Sequence, residues 1–382
     1  MVPERSASLS GVVVGETRVS DADAEGPDLL YRGFSVASLL QLRYEDVVGL
    51  LWDEEISTGI GDSIREEAVN AMQLTPGAVA WLASVPPRMN PTDLFLAGAA
   101  QTHVWTPHGS NPLSDRRTAT RLIGFAIAMI GYGHRARRGL PHLDPRPDWS
   151  IAENLFYMSF GREPRVEQIA ALQVALILYA EQSFNASTYA ARIAASAGTD
   201  LATAVIAAAA VLKGHRHGGA NREVIAMLRD VASASSVKGW VDEATEQSRK
   251  IMGFGHRVFR NGDPRFQAMR AQLTPLSHDD GESMLRTGDR LVEEVSRRRG
   301  LRPNIDLAAA IAFHLLGFDT ESYTALFAAS RIAGWTAHIV EARSDNRLIT
   351  PTARYVGARG RALVHLGPDH LVNDAIRPSP ER

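Results

Sequence analysis

The sequence predicts an all-α fold arranged in two domains, and three observations carry that prediction. Apolar residues recur at helical spacing through most of the chain. Strand-like alternation is confined to one short N-terminal stretch, and glycine and proline punctuate the helical segments as brief loops. At 382 residues, 45% of them hydrophobic, the chain can fill two sizeable cores.

Taken in order, residues 11–19 alternate and predict a small hairpin or an extended arm. Residues 39–51, 62–72, 121–131, 166–181, 201–213 and 240–252 predict separate helices of ordinary length. Leu201–Leu212 is almost all Ala with Val, Ile and Leu; Thr199-Asp200 offers an N-cap and Gly214 a stop. A helix apolar all round must be buried on every side, either in a central core or at a subunit interface. The Arg-rich 134–138 and Pro-rich 140–149 predict an exposed connection, solvated rather than phosphate-binding. The tail 367–382 is polar and contains proline, so it is expected to be poorly ordered.

Charge and composition narrow the function. Lys plus Arg total 41 against 43 for Asp plus Glu, which gives no general electrostatic footprint for nucleic acid or an anionic membrane. Cysteine is absent, excluding disulfides, thiolate metal sites and cysteine nucleophiles. The first residues lack the apolar core of a signal peptide, and the longest apolar run, near 201–212, is too short to span a bilayer. The expectation is a soluble cytoplasmic protein without nucleic-acid or membrane partners.

Three separated motifs hold an acid–base set. Lys213-Gly214-His215-Arg216-His217-Gly218-Gly219-Ala220-Asn221 carries His217. Gly253-Phe254-Gly255-His256-Arg257-Val258-Phe259 carries His256, with Asp263-Pro264-Arg265 just beyond. Arg302-Pro303-Asn304-Ile305-Asp306 carries Asp306. Two imidazoles and a carboxylate suit proton removal from carbon with stabilisation of the oxyanion that results, and the neighbouring glycines let backbone approach a ligand closely. Each motif alone has a plainer reading. A histidine beside glycine can be a structural hydrogen-bonding residue, Asp306 can start the helix of the apolar run that follows it, and Arg265 can face water from a turn.

Order and spacing tie the motifs together. The chain resembles the citrate synthases, including the closely related 2-methylcitrate synthases, over nearly its whole length. Resemblance begins at Gly15-Glu16-Thr17-Arg18-Val19-Ser20 and Leu30-Tyr31-Arg32-Gly33 and continues through Asn185-Ala186-Ser187-Thr188-Tyr189-Ala190-Ala191-Arg192 and the three motifs above. It closes with Ser330-Arg331-Ile332-Ala333-Gly334-Trp335, Asn346-Arg347-Leu348-Ile349 and Tyr355-Val356-Gly357. The resemblance implies a large helical domain of residues 1–218 and 318–382, and a smaller inserted CoA-binding domain of 219–317. It also implies a homodimer built across the Ala-rich helix, with the C-terminal arm crossing to the partner.

The implied activity is a Claisen-type condensation. An acyl-CoA, acetyl-CoA or propionyl-CoA, is deprotonated at its α carbon and attacks a 2-oxo acid, oxaloacetate or an analogue; hydrolysis then releases CoA and a citrate-like product. By resemblance Asp306 is the base, His217 hydrogen-bonds the thioester oxygen, and His256 polarises the keto group. Arg265 and Arg331 hold the oxo acid's carboxylates, a task suited to the guanidinium fork, and Gln182 and Asn221 belong to the same pocket. Arg260 matches a CoA-phosphate contact, Met252, Gly253, Phe254 and Gly255 lie along the adenine, and Asn304 is a further CoA contact. CoA enters as a substrate; no metal, cofactor or prosthetic group is implied.

The chain departs from the family in three places. The usual Leu-His-Ala-Asp/Glu-His-x-x-Asn is here Leu178-Tyr179-Ala180-Glu181-Gln182-Ser183-Phe184-Asn185, so Gln182 replaces a histidine that contacts the oxo acid. Glutamine donates a hydrogen bond but carries no charge. Thr350 replaces an arginine that reaches the partner's site, and Arg354 lies four residues on. His215 and Arg216 stand where the family has a proline and usually an uncharged residue. Two other functions compete: a non-catalytic paralogue that binds or regulates, and a metal-dependent hydrolase using His215 and His217. Intact His217, His256 and Asp306 argue against the first, and no third ligand at conventional spacing supports the second.

Overall fold

The computed structural model describes residues 12–22, 28–101, 112–277, 280–345 and 347–360, and for 112–114 and 280–281 the backbone alone. The tail 367–382 and Gly11 lie outside the described residues. Met1–Leu348 makes one compact unit; of the second, Ile349–Arg382, the described part 349–360 is irregular chain.

The fold is helical, with three two-residue strands among the described residues. Ser20–Asp21, Leu30–Tyr31 and Phe34–Ser35 form an antiparallel sheet in which Ser20 faces Tyr31 and Leu30 faces Ser35. Pairing therefore begins after the predicted 11–19 segment, where 12–19 forms no strand. What fixes its place is the two-residue turn Arg32-Gly33, with φ of 48° and 85°. That geometry matches the twist of a tight hairpin. Tyr31 anchors the sheet: its buried hydroxyl lies 2.9 Å from the Glu181 carbonyl and accepts the Glu181 N–H at 3.1 Å.

The central element is Tyr323–Asp345, buried along most of its length. It packs against Tyr44–Asp53, Pro112–Ala136, Val166–Tyr179, Ala186–Ser196 and Leu201–Leu212. Arg331 and His338 are its only basic side chains before Glu341, and both are fully buried, so these polar groups enter the core for a reason other than helix solvation. A second group, Ala220–Ser233, Val237–Glu246, Arg265–Ala271, Asp280–Arg299 and Ile305–Leu316, packs largely on itself. Its last member leads from Asn304 into the interior and carries Asp306 in its first turn.

Several boundaries differ from the sequence expectation. Residues 39–51 divide into Val36–Leu39 and Tyr44–Asp53, with 40–43 between them outside any helix. The expected 121–131 is only the middle of Pro112–Ala136. His134 and Arg135 are thus helical rather than loop, and His134 is buried edge-on to Phe160 with ring centroids 4.7 Å apart. Ser236 accepts the Gly239 N–H and starts the next helix early, giving Val237–Glu246 in place of 240–252. Val166–Tyr179 stops two residues short of expectation.

Leu201–Leu212 is capped by Asp200, which accepts the Thr203 N–H at 2.9 Å, as the sequence predicts. It is not enclosed on every side within one chain. Ile206 and Ala207 are half-buried and Ala210 and Val211 exposed, and Ile193 and Val340 are exposed on the two helices packed beside it. Among the described residues no helix is long and apolar enough to cross a membrane.

Candidate active site

Asp306 is placed by a cap. Asn304 Oδ1 accepts the Asp306 N–H at 3.1 Å, and its Nδ2 donates to the Gly255 carbonyl at 2.8 Å. The chain just before the helix clamps the segment holding Met252, Gly253, Phe254 and Gly255, through Gly255 N–H to the Arg302 carbonyl at 2.8 Å and Asn304 N–H to the Gly253 carbonyl at 2.9 Å. Gly253, at φ +79°, lies so close that a Cβ would sit 2.8 Å from Leu307 Cβ. A side chain there would push this turn off the helix that carries Asp306.

Asp306 Oδ1 accepts a hydrogen bond from the Tyr179 hydroxyl at 2.9 Å. Asp306 is half-buried, and burial is the largest influence on its carboxyl group and raises its pKa, opposed by Tyr179 and Arg265. That raises its strength as a base.

His256 is oriented by its own loop. Its Nδ1 accepts the N–H groups of Val258 at 3.1 Å and Phe259 at 3.0 Å, which leaves the proton of the neutral ring on Nε2. Nε2 lies 2.8 Å from the Gln182 amide nitrogen, and Gln182 Oε1 accepts from Arg265 Nη1 at 3.3 Å. Gln182 has one acceptor oxygen between two donors, and whichever way its amide is turned, one donor is left for a ligand oxygen.

Arg265 is buried and paired with Asp263, Nε to Oδ1 and Nη2 to Oδ2 both at 2.8 Å. Asp263 Oδ2 also accepts the Ile305 N–H at 3.0 Å, so one carboxylate positions Arg265 and the start of the Asp306 helix. Burial alone would raise the Asp263 pKa; the Arg265 guanidinium outweighs it and holds the group below its ordinary value.

Arg331 is fully buried, and its Nε donates to the Tyr179 carbonyl at 2.6 Å. Its Nη1 and Nη2 are buried and have no hydrogen-bond partner. Burial lowers its pKa to about 10, although Glu181 nearby pulls the other way. Asn221 is likewise buried with both amide atoms unpartnered. Buried polar groups in folded proteins are almost always satisfied, so a free guanidinium fork and a free amide mark a place for an anionic, oxygen-rich ligand.

His217 meets the same cluster through Phe327, whose ring lies edge-on to it at 6.2 Å, packs on Tyr179 at 4.2 Å and lies under the Arg331 guanidinium at 4.8 Å. His217 Nε2 is 2.8 Å from Ser187 Oγ, which also lies 2.7 Å from Asn185 Oδ1 and accepts from Trp335 Nε1 at 3.2 Å. The Ser187 hydroxyl has a single proton to give. Directed to Asn185, it requires the ring proton on His217 Nε2; directed to His217, it places that proton on Nδ1.

Burial first, then Arg331 for His217 and Arg265 for His256, lowers both imidazole pKa values to about 4. Both rings are neutral donors at neutral pH. The unfolded chain binds protons at these residues below its ordinary histidine pKa of about 6.5, and the folded chain does not until about 4. Stability is therefore expected to fall as pH drops from about 6.5 to 4, by up to about 3 kcal/mol per histidine. Urea midpoints across this range, for the protein and for its His217→Gln and His256→Gln variants, check the slope.

Contacts join His217, His256, Asp306, Arg265, Arg331 and Gln182, which the sequence singles out, into one cluster, with Met252, Gly253, Phe254, Gly255 and Asn304 beside it and the Asn221 amide near the Tyr179 hydroxyl. Arg260 is exposed, as are His215 and Arg216. Among the described residues no group of three or more His, Asp or Glu is placed to hold a metal ion, so a hydrolase using His215 and His217 finds no ligand shell. Thr350 and Arg354 lie in the second unit. Sequence reasoning had assigned no role to Tyr179, Ser187, Asp263 or Phe327, although all but Phe327 lie inside quoted motifs.

Comparison with known proteins gives the same direction. The family model for the citrate synthase C-terminal domain matches residues 8–352. A 2-methylcitrate synthase of Mycobacterium tuberculosis H37Rv is 34% identical over 364 residues, covering 94% of this chain and 93% of that protein. A citrate synthase of Mycolicibacterium smegmatis is 34% identical over 366 residues, 95% of this chain and 98% of its own length. Among solved structures, citrate synthase of Thermoplasma acidophilum in ternary complex with carboxymethyl coenzyme A and oxaloacetate superposes with a TM-score of 0.88, at 29% identity over 98% of this chain and all of that one. Citrate synthase of Thermotoga maritima gives 0.85 at 31% identity, over 96% of this chain and 99% of that one.

Proposed function

The chain belongs to the citrate synthase family, and from that premise we propose how its own residues divide the work. The protein is an acyltransferase that condenses an acyl-CoA with oxaloacetate or an analogue and releases CoA. Asp306 removes the α proton of the thioester. His217, protonated on Nδ1 with Ser187 directed to Nε2, donates to the thioester oxygen as the enolate forms. The Nε2–H of His256 polarises the keto group of the acceptor and, as the enolate carbon bonds to the keto carbon, passes its proton to the developing alkoxide. Arg331 holds a carboxylate of the acceptor, and water then hydrolyses the CoA adduct.

One observation supports this reading most: a buried, unpartnered guanidinium fork shares Tyr179 with a carboxylate whose surroundings raise its basicity. A binding-only paralogue has no use for that basicity. CoA contacts are assigned to the clamped turn at Met252, Gly253, Phe254 and Gly255, to Asn304, and to Arg260 at the surface. No metal or prosthetic group takes part. We assign residues 219–317 to a smaller domain that closes on the larger one. A homodimer across Leu201–Leu212 would cover the apolar stripe that a single chain leaves open, with the arm beyond residue 349 crossing to the partner. The cysteine-free composition suits the cytoplasm.

Gln182 is uncharged where the family carries a histidine, Thr350 is uncharged where the family carries an arginine that reaches the partner's site, and Arg331 is the free guanidinium of the acceptor pocket among the described residues. We therefore expect tolerance of acceptors with fewer carboxylates. CoA release is to be measured with acetyl-CoA and propionyl-CoA against oxaloacetate, pyruvate and 2-oxobutyrate. The expected result is turnover with oxaloacetate and a kcat/KM for a monocarboxylic 2-oxo acid within about tenfold of it. High efficiency with oxaloacetate alone removes the altered specificity, and CoA binding without turnover on any acceptor restores the non-catalytic reading.

A further inference from the structure

We propose that Tyr179 aims the base: its hydroxyl fixes Asp306 Oδ1 and so leaves Oδ2 as the oxygen that meets the acyl α carbon. The inference rests on the condensation assigned above and names a positioning residue that acts through Asp306.

Three features of the site carry it. Asp306 is held at two points, by Asn304 on its backbone N–H and by Tyr179 on Oδ1, and no described residue binds Oδ2. A carboxylate pinned at its backbone and at one oxygen has lost the rotation that would otherwise exchange the two. Tyr179 is itself immobile: it is 1% exposed, its ring lies 4.2 Å from that of Phe327, and it stacks on Phe313 at 6.4 Å. Finally, the Tyr179 carbonyl accepts from Arg331 Nε at 2.6 Å, so one residue sets the base with its side chain and the acceptor's anchor with its backbone. The base and the acceptor's anchor are thereby referred to a single residue. The family pattern has histidine at this position. A phenol raised well above its ordinary pKa, by burial first and by Asp306 next, stays protonated throughout the working range and always donates.

The groups facing Asp306 are Tyr179 at the end of Val166–Tyr179, Asp263 and Arg265 at the start of Arg265–Ala271, and Arg331 on Tyr323–Asp345. The two imidazoles also titrate in acid, each at about 4. A rate profile alone would not assign its acid limb, so the test reads Asp306 directly.

Tyr179→Phe keeps the ring and removes the donor. Steady-state kinetics across pH 4–9 are to be combined with 13C NMR titration of protein labelled at the aspartate carboxyl carbon, in which Asp306→Asn identifies the Asp306 signal. Expected for the Phe variant is a kcat about 10- to 100-fold lower, with KM for the 2-oxo acid changed by no more than about threefold. The Asp306 signal, having lost a donor to its ionised form, should titrate about one pH unit higher, and the acid limb of kcat should move up with it. A tyrosine that only fills space would move neither titration, and one that donates to Asp306 without aiming it would move the titration but leave kcat unchanged at its maximum. An unshifted Asp306 signal, or an unchanged kcat, overturns the proposal. Absence of wild-type turnover with every thioester and acceptor sinks the condensation and this inference together, whereas an active wild type with an indistinguishable Phe variant sinks this inference alone.

Discussion

Asp306→Asn is expected to lower kcat by a factor of about 10²–10⁴, the range over which a positioned general base contributes. Asparagine keeps an oxygen for the Tyr179 hydroxyl and fits the same space, so the loss isolates the base. Burial already disfavours the charge on Asp306, and removing that charge should leave the fold as stable as before or slightly more so. The decisive measurement is incorporation of solvent deuterium at the acyl α carbon, followed beside CoA release. Both should fall together, because enolisation precedes attack. Exchange at the wild-type rate in the variant would show that another group takes the proton.

Arg331→Met should produce the second large effect and should separate binding from stability. The guanidinium is buried, its pKa is depressed to about 10 by that burial, and its two terminal nitrogens have no protein partner. Each charge-assisted hydrogen bond to an acceptor carboxylate is worth about 1.5–3 kcal/mol. With two such bonds removed, kcat/KM for the 2-oxo acid should fall by at least about 10²-fold. The unliganded protein loses little: the bond to the Tyr179 carbonyl goes, but an incompletely paired buried cation goes with it. The melting temperature without ligand should therefore stay within a few degrees of wild type or rise, and the stabilisation by added 2-oxo acid should disappear. A variant that unfolds without ligand, or one still stabilised by the acid, would refute the assignment of Arg331 as the anchor.

What the sequence makes legible follows from what local patterns encode. Leu201–Leu212 is delimited by a capping aspartate and a trailing glycine, both local signals, and its ends match the structure. Pro112–Ala136 extends well beyond its predicted bounds because its glycines mean something other than an end. A Cβ at Gly131 would lie 2.9 Å from Met158 Cβ and one at Gly133 the same distance from Pro91 Cγ, so these glycines allow close helix packing. Helix Asp280–Arg299 escaped notice because its apolar positions are sparse among charged ones. In the site, the residues that carry chemistry sit in short motifs, so they could be found singly. Their relations could not: Tyr179 and Asp306 are 127 positions apart, and nothing local to either says that they touch. The burial that sets the imidazole and carboxylate pKa values is also a property of the assembled fold.

The double engagement of Asp263 limits how this pocket can diverge. Because one carboxylate orients a substrate-binding guanidinium and caps the helix of the base, new acceptor preferences cannot be reached by altering that ion pair without also disturbing proton removal. Gln182 is also engaged twice, lying 2.8 Å from His256 Nε2 and accepting from Arg265 Nη1 at 3.3 Å, but neither contact reaches Asp306 or its helix. A change at Gln182 can therefore retune how the acceptor's oxygens are met while the seat of the base stays fixed.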